Sequence, residues 1–193
     1  YLDKQGRRIL IGWMGMPDCD YGYPEREYGW ANMLTIPRVL HQRNGKILQE
    51  PLPELRQLRG RMRCGHVSGE TTWEKLSVYE ADIRFTEIDS AEVCFGTDGV
   101  ISWKDGFLTL TLGESGYNRP MRQVPLEKLR RLQLFCDASS IEIFANDGEA
   151  VFTSRFYANA AESKLTILAE HAEAAVWELN SIRIQNLFSG RKL

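Results

Sequence analysis

Paired carboxylates are the side chains most often used to cleave bonds to sugars, and the sequence offers them in three places. Asp18 and Asp20 bracket Cys19, Glu25 and Glu27 flank Arg26, and Glu142 is followed closely by Asp147. The Asp18/Asp20 spacing lacks the further oxygen ligands of a calcium loop, which leaves a solvated turn as the simpler reading. Glu25, Arg26 and Glu27 read as surface charges on a loop, with Arg26 also able to reach a sugar phosphate as a bidentate donor. Glu142 sits in the alternating run Ile141-Glu142-Ile143-Phe144 and Asp147 in the turn Asn146-Asp147-Gly148. An outward strand residue and a turn aspartate account for these two better than a catalytic pair does.

Other chemistry has weaker support. Ser154 lies between Thr153 and Arg155 with no G-x-S-x-G elbow around it, which disfavours a serine nucleophile. His41, His66 and His171 are isolated, so a metal or base role lacks partners. Cys19, Cys64, Cys94 and Cys136 form no C-x-x-C pair and give no zinc spacing. A chain of this size does not need disulfides for stability, so buried free thiols in a reducing cytosol are the expectation.

The elements that must carry these residues read as strands and tight turns. Arg8 to Met14 is a short apolar run of the kind buried in a sheet, followed by a polar loop from Pro17 to Gly29 and a strand-like stretch from Trp30 to Ile36. Asn44-Gly45, Asp98-Gly99, Asp105-Gly106 and Asn146-Asp147-Gly148 each separate apolar runs, the pattern of hairpins whose turn residues tolerate positive φ. Two prolines open Glu50 to Gly60, and Leu52, Leu55 and Leu58 recur at a spacing of three, which predicts a linker with a short helical turn at a domain boundary. Ile182 to Ile184 closes the series of strands. One stretch opposes the pattern: Ala158 to Ala175 is rich in Ala and Glu, and propensity alone favours helix there. Many short strands joined by Gly turns predict an all-β sandwich or barrel.

Composition excludes several classes. With 43% hydrophobic and 26% charged residues the chain has the balance of a globular protein. Lys and Arg are scattered over a chain of net charge −2, which argues against a nucleic-acid partner, and no apolar run approaches the length of a membrane span. There is no initiator Met and no signal peptide, and Tyr1 to Arg8 reads as the approach to a strand already under way. The expectation is a piece of a longer chain, cytoplasmic, whose true N-terminus is not seen.

Two stretches resemble glycoside hydrolase family 32, in its bacterial branch acting on sucrose-6-phosphate. Arg8 to Gly15, with Tyr23-Pro24, Glu25 to Ala31 and Leu34 to Leu40, is similar to the last blade of that family's five-bladed β-propeller. Ser140 to Glu149 and Thr153 to Arg155 are similar to a strand pair of its C-terminal β-sandwich, two stacked antiparallel sheets. The resemblance implies three parts: residues 1–49 as the last-blade segment, 50–61 as the linker and 62–193 as the sandwich.

The family's chemistry is retaining hydrolysis at a fructofuranoside, with an Asp nucleophile in W-x-N-D-P-x-G, a second Asp in R-D-P and an acid/base Glu in E-C. None of the three motifs occurs here; Met16-Pro17-Asp18 has the wrong order. The resemblance therefore implies a hydrolase whose catalytic residues are not in this chain, in which these residues brace the propeller and contribute to homo-oligomer contacts. Sucrose-6-phosphate, sucrose or a short fructan is the implied substrate, and the mechanism requires no metal or organic cofactor. One substrate-binding residue is implied: Trp13, matching an aromatic at the mouth of the family's site, where an indole face packs on a sugar ring. Read without the family, Trp13 is a core tryptophan of a strand, and Trp30 packs within the blade. The rival reading is a carbohydrate-binding sandwich using Trp73, Trp103 and Trp177 as exposed platforms. A third is a stand-alone interaction domain.

Overall fold

The computed structural model describes residues 1–16, 29, 32–117, 119–157 and 163–182. Asp18, Cys19, Asp20, Glu25, Arg26, Glu27, Trp30 and Ile184 lie outside the described residues. The chain is built from antiparallel strands in two sheets. The small sheet holds β1 (Arg8–Leu10), β2 (Arg38–Arg43) and β3 (Lys46–Pro51) in that order. A 3-10 turn, Pro53–Leu58, then leads into β4 (Arg59–Glu74). The spacing of three in Leu52, Leu55 and Leu58 suits a 3-10 turn, which has three residues per turn.

The large sheet continues with β5 (Tyr79–Phe85), β6 (Ser90–Phe95), β7 (Gly99–Lys104), β8 (Phe107–Thr111), β9 (Met121–Pro125), β10 (Arg131–Asp137), β11 (Ser140–Ala145), β12 (Ala150–Arg155) and β13 (Lys164–Leu179). Three of the hairpins in the two sheets turn where the sequence places them; between β6 and β7 the positive φ falls on Gly96 instead of Asp98-Gly99, and Gly99 already begins β7. Asn44 and Gly45, Asp105 and Gly106, and Asn146, Asp147 and Gly148 all have positive φ. Asn, Asp and Gly are the residues that adopt this conformation at least cost.

β13 organises the rest. Its residues 165–169 pair with β6, its residues 172–178 pair with β5, and β4 pairs along its other edge for nearly the whole length. A register shift between Ala169 and Ala172 marks a bulge where the strand passes from one group of neighbours to the other. Bulges bend a strand and raise its twist. Folding the sheet over at this point brings Ile83, Leu132, Leu134, Ile141 and Ile143 into one core with Phe95, Ile101, Leu108, Leu110 and Leu165. Phe95 meets Phe156 edge to face at 5.1 Å within that core. The fold is all-β with a sandwich of antiparallel sheets, as the strand pattern predicts.

The helical preference of Ala158 to Ala175 is overridden: residues 164–175 are strand, and 158–162 lie outside the described residues. Leu165, Ile167, Ala169, Ala172, Ala174 and Val176 are all buried. A strand bonded on both edges and packed into the core gains far more than the few tenths of a kcal/mol per residue that separate Ala and Glu from β-formers. Trp13 and Leu34 form a single isolated bridge rather than the longer strands that the apolar runs predict.

Among the described residues the free cysteines are Cys64, Cys94 and Cys136. Only Cys136 is buried, and burial pushes its thiol up to about 12. Cys94 is half-buried and Cys64 exposed, which corrects the expectation that all are inside.

The β11–β12 turn touches the small sheet. Gln49 N–H donates to the Gly148 carbonyl at 3.2 Å, and a Cβ on Gly148 would fall 2.1 Å from the Gln49 oxygen. Gly148 also holds φ +85°. Gly148→Ala is expected to destabilise the protein by roughly 2 kcal/mol in calorimetric or denaturant unfolding.

Candidate functional site

The outer face of β11 and β12 is where the two sheets meet. Alternation sends Ile141, Ile143 and Phe152 into the sandwich core and Glu142, Phe144 and Thr153 to the other side. That other side is not solvent, because the small sheet covers it: every residue of β11 is buried, and Glu142 is only 2% exposed. Glu142 faces outward from its own sheet, as the strand pattern predicts, but it is a buried interfacial carboxylate because the small sheet covers that face. Period-two alternation reports which face of its own sheet a residue occupies, and cannot report what a second sheet places over that face.

Glu142 is fully engaged. Its Oε2 accepts from Arg38 Nη2 at 2.5 Å, and its Oε1 accepts the Ile36 backbone N–H at 2.7 Å. Arg38, itself buried, also donates to Gln49 Oε1 at 2.9 Å and to Thr153 Oγ1, and its guanidinium lies 5.1 Å from the centre of the Phe144 ring. Burial pushes the Glu142 carboxyl above its ordinary range, against the opposing pull of Arg38 and of the Ile36 N–H. Arg155, on the neighbouring strand, donates to the Ser139 carbonyl at 2.9 Å and to the Met14 carbonyl at 3.4 Å.

These contacts stand behind the one site residue the sequence singles out. Met14 N–H donates to the Met33 carbonyl at 2.8 Å, and Thr35 N–H to the Gly12 carbonyl at 2.9 Å. Between these rungs Trp13 and Leu34 face each other as a non-hydrogen-bonded pair, the arrangement in which side chains approach most closely. Both point away from the sandwich: Trp13 is 63% exposed and Leu34 60%, whereas Met14 and Met16 are buried. Trp13 is thus not part of the core formed by the described residues. A Cβ on Gly15 would lie 2.1 Å from the indole, so only glycine lets the ring lie across the backbone there.

The remaining candidates are not brought together. Trp73 and Trp103 are buried at 7% and 9% exposure, and the Trp103 indole N–H donates to the Leu126 carbonyl at 2.8 Å. Trp177 is half-buried with the Arg59 guanidinium 3.8 Å from its ring centre, while Arg59 also pairs with the buried Glu80 at 2.6 Å. The sandwich's tryptophans are thereby occupied in packing, which removes the platforms on which the carbohydrate-binding rival rests. Asp147 pairs with Arg131 in its turn. The buried Ser154 hydroxyl donates to the Arg155 carbonyl at 2.9 Å. His41 is exposed, 3.8 Å from Glu50, and His66 and His171 are exposed as well. Among the described residues no group of three His, Cys, Asp or Glu could hold a metal ion. No helix among them is long and apolar enough to cross a membrane.

The chain is thus all-β, with a folded-over sandwich gripping a smaller sheet and an exposed indole on the strand pair beside it. Known proteins make the class specific. The family model described as glycosyl hydrolases family 32 N-terminal domain matches residues 1–51, and the one described as glycosyl hydrolases family 32 C terminal matches residues 104–186. The sucrose-6-phosphate hydrolase of Staphylococcus xylosus is 38% identical over 81% of this chain and 35% of its own length. That of Bacillus subtilis (strain 168) is 33% identical over 92% of this chain and 40% of its own. The structure of sucrose-6-phosphate hydrolase from Lactobacillus gasseri superposes with a TM-score of 0.82 at 25% identity, over 93% of this chain and 40% of that one. The chain belongs to glycoside hydrolase family 32, and it spans between a third and a half of the length of these relatives.

Removing one partner of the buried pair and removing both are expected to differ. Glu142→Leu strands the Arg38 guanidinium and should cost about 3–5 kcal/mol in urea unfolding, whereas Arg38→Met combined with Glu142→Leu should recover most of that loss. Equal losses for the single and double variants would show that the charges do not face each other.

Proposed function

We propose that this chain is the C-terminal region of a retaining fructosidase that hydrolyses sucrose-6-phosphate, sucrose or a short fructan, and that its own role is to hold a substrate-facing strand pair in place. In this reading residues 1–49 are part of the last blade of a catalytic propeller, residues 50–61 link it to the sandwich, and 62–193 are the sandwich. The chemistry is a double displacement: an Asp attacks the fructosyl anomeric carbon while a Glu protonates the leaving sugar oxygen, and water then releases fructose from the enzyme. The carboxylates for it are not among these 193 residues, since the sequence contains none of W-x-N-D-P-x-G, R-D-P or E-C.

The observation that carries the role of Trp13 is its exposure on the strand pair beside the small sheet, with the backbone on either side of it bonded through Gly12 and Met14. An indole held that way offers a flat apolar face and an N–H donor, the two things a sugar ring needs from an aromatic platform. The names of the S. xylosus and B. subtilis relatives support sucrose-6-phosphate as the substrate. Free Cys64, Cys94 and Cys136 fit a protein working in the reducing cytoplasm.

In the full-length protein, Trp13→Ala should raise KM for sucrose and sucrose-6-phosphate about tenfold with little change in kcat, the pattern of lost binding rather than lost chemistry. Unchanged KM and kcat would remove Trp13 from the site. A full coding sequence without the three acidic motifs would overturn the hydrolase reading itself.

A further inference from the structure

We infer that Glu142 is a positioning residue for substrate binding, acting from the sandwich through the backbone of residues 33–36 on the indole of Trp13; the inference rests on the sugar-contact reading of Trp13 above. The route is short and each link is a hydrogen bond. The carboxylate takes the Ile36 N–H at 2.7 Å. The adjoining residue, Thr35, donates its N–H to Gly12 and accepts the Gly12 N–H on its hydroxyl at 2.9 Å. Met33 closes the second rung onto Met14, leaving Trp13 pinned between the two rungs.

Among the described residues the small sheet itself offers this strand pair little: the Leu52 N–H donates to the Pro37 carbonyl at 2.9 Å, and the β1–β2 pairing ends at Leu10 and Arg38. Trp13 and Leu34 form an isolated bridge outside the three paired strands, so the ladder of β1, β2 and β3 does not extend to them. A two-rung ladder is marginal when it has no neighbours. The sandwich supplies the missing support at both ends, Glu142 on the 33–36 strand and Arg155 on the carbonyl of Met14. Glu142 and Arg155 are 2% and 4% exposed, so both grips are screened from water. Arg38 completes the arrangement by fixing the carboxylate's second oxygen, which leaves the first aimed at Ile36. A platform that shifts by an ångström loses most of its alignment with a bound ring.

The test is steady-state hydrolysis of sucrose by the full-length protein. Glu142→Asp keeps the charge but withdraws the carboxylate by one methylene, and Arg38→Met with Glu142→Leu removes both charges while leaving Ile36 without an acceptor. Each should raise KM about tenfold with kcat little changed. In a Trp13→Ala background the same substitutions should add nothing further, because they act through that indole. Circular dichroism and the unfolding midpoint identify variants that fold, and Glu142→Asp keeps the test open if the double variant does not. A KM unchanged in the folded Glu142→Asp variant, or a rise that persists in full on top of Trp13→Ala, would overturn the inference while leaving the Trp13 reading intact. A KM unchanged by Trp13→Ala would overturn both.

Discussion

The buried ion pair between Arg38 and Glu142 is the constraint on which the arrangement of the two sheets depends. Two charges taken out of water cost several kcal/mol each unless every donor and acceptor finds a partner in good geometry. Here Glu142 has Arg38 on one oxygen and the Ile36 N–H on the other, and Arg38 adds Gln49 and Thr153 while its buried Nε is left without a partner. A slide of the small sheet by one residue would break all of these together. The pair therefore specifies register more than it adds stability, since apolar residues of similar size could fill the same space at little loss.

That specification matters because the other forces between the sheets are permissive. Phe135 and Phe144 meet edge to face at 6.2 Å on the sandwich's outer side and would accept many apolar neighbours. Within the sandwich, the long paired strands β4 and β13 and the bulge at Ala169–Ala172 determine which halves stack. The sandwich is a self-consistent core to which the small sheet is attached by a polar latch, and the latch lies directly behind the exposed indole. Support and exposure are two sides of one strand pair: buried Met14 faces inward where Trp13 faces out.

Much of this was legible in the sequence. The turns at Asn44-Gly45, Asp105-Gly106 and Asn146-Asp147-Gly148 follow from the few residue types that accept positive φ, and the all-β class follows from the strands between them. The Ala- and Glu-rich stretch before Ala175 was misleading because local propensity is weak beside pairing on both edges, and those partners are distant in sequence. Glu142 was missed for a related reason. Its alternation with Ile141 and Ile143 is that of a half-exposed strand, and only the small sheet, more than a hundred residues away along the chain, turns that face into an interior. The signal that could have found it is Phe144, which follows on the same face and has no reason to face water. Trp13 was singled out through the family resemblance, whereas its exposure depends on a bridge to Leu34 that no local rule predicts.

Amide hydrogen exchange of the full-length protein addresses the latch most directly. If the sandwich holds the strand pair, the Ile36, Thr35 and Met14 amides exchange only with the slow opening of the core strands β10 and β11, as parts of one cooperative unit. Exchange of those three amides on the fast timescale of exposed turns, while β10 and β11 stay protected, would show that the pair is not anchored by Glu142 and would contradict the account.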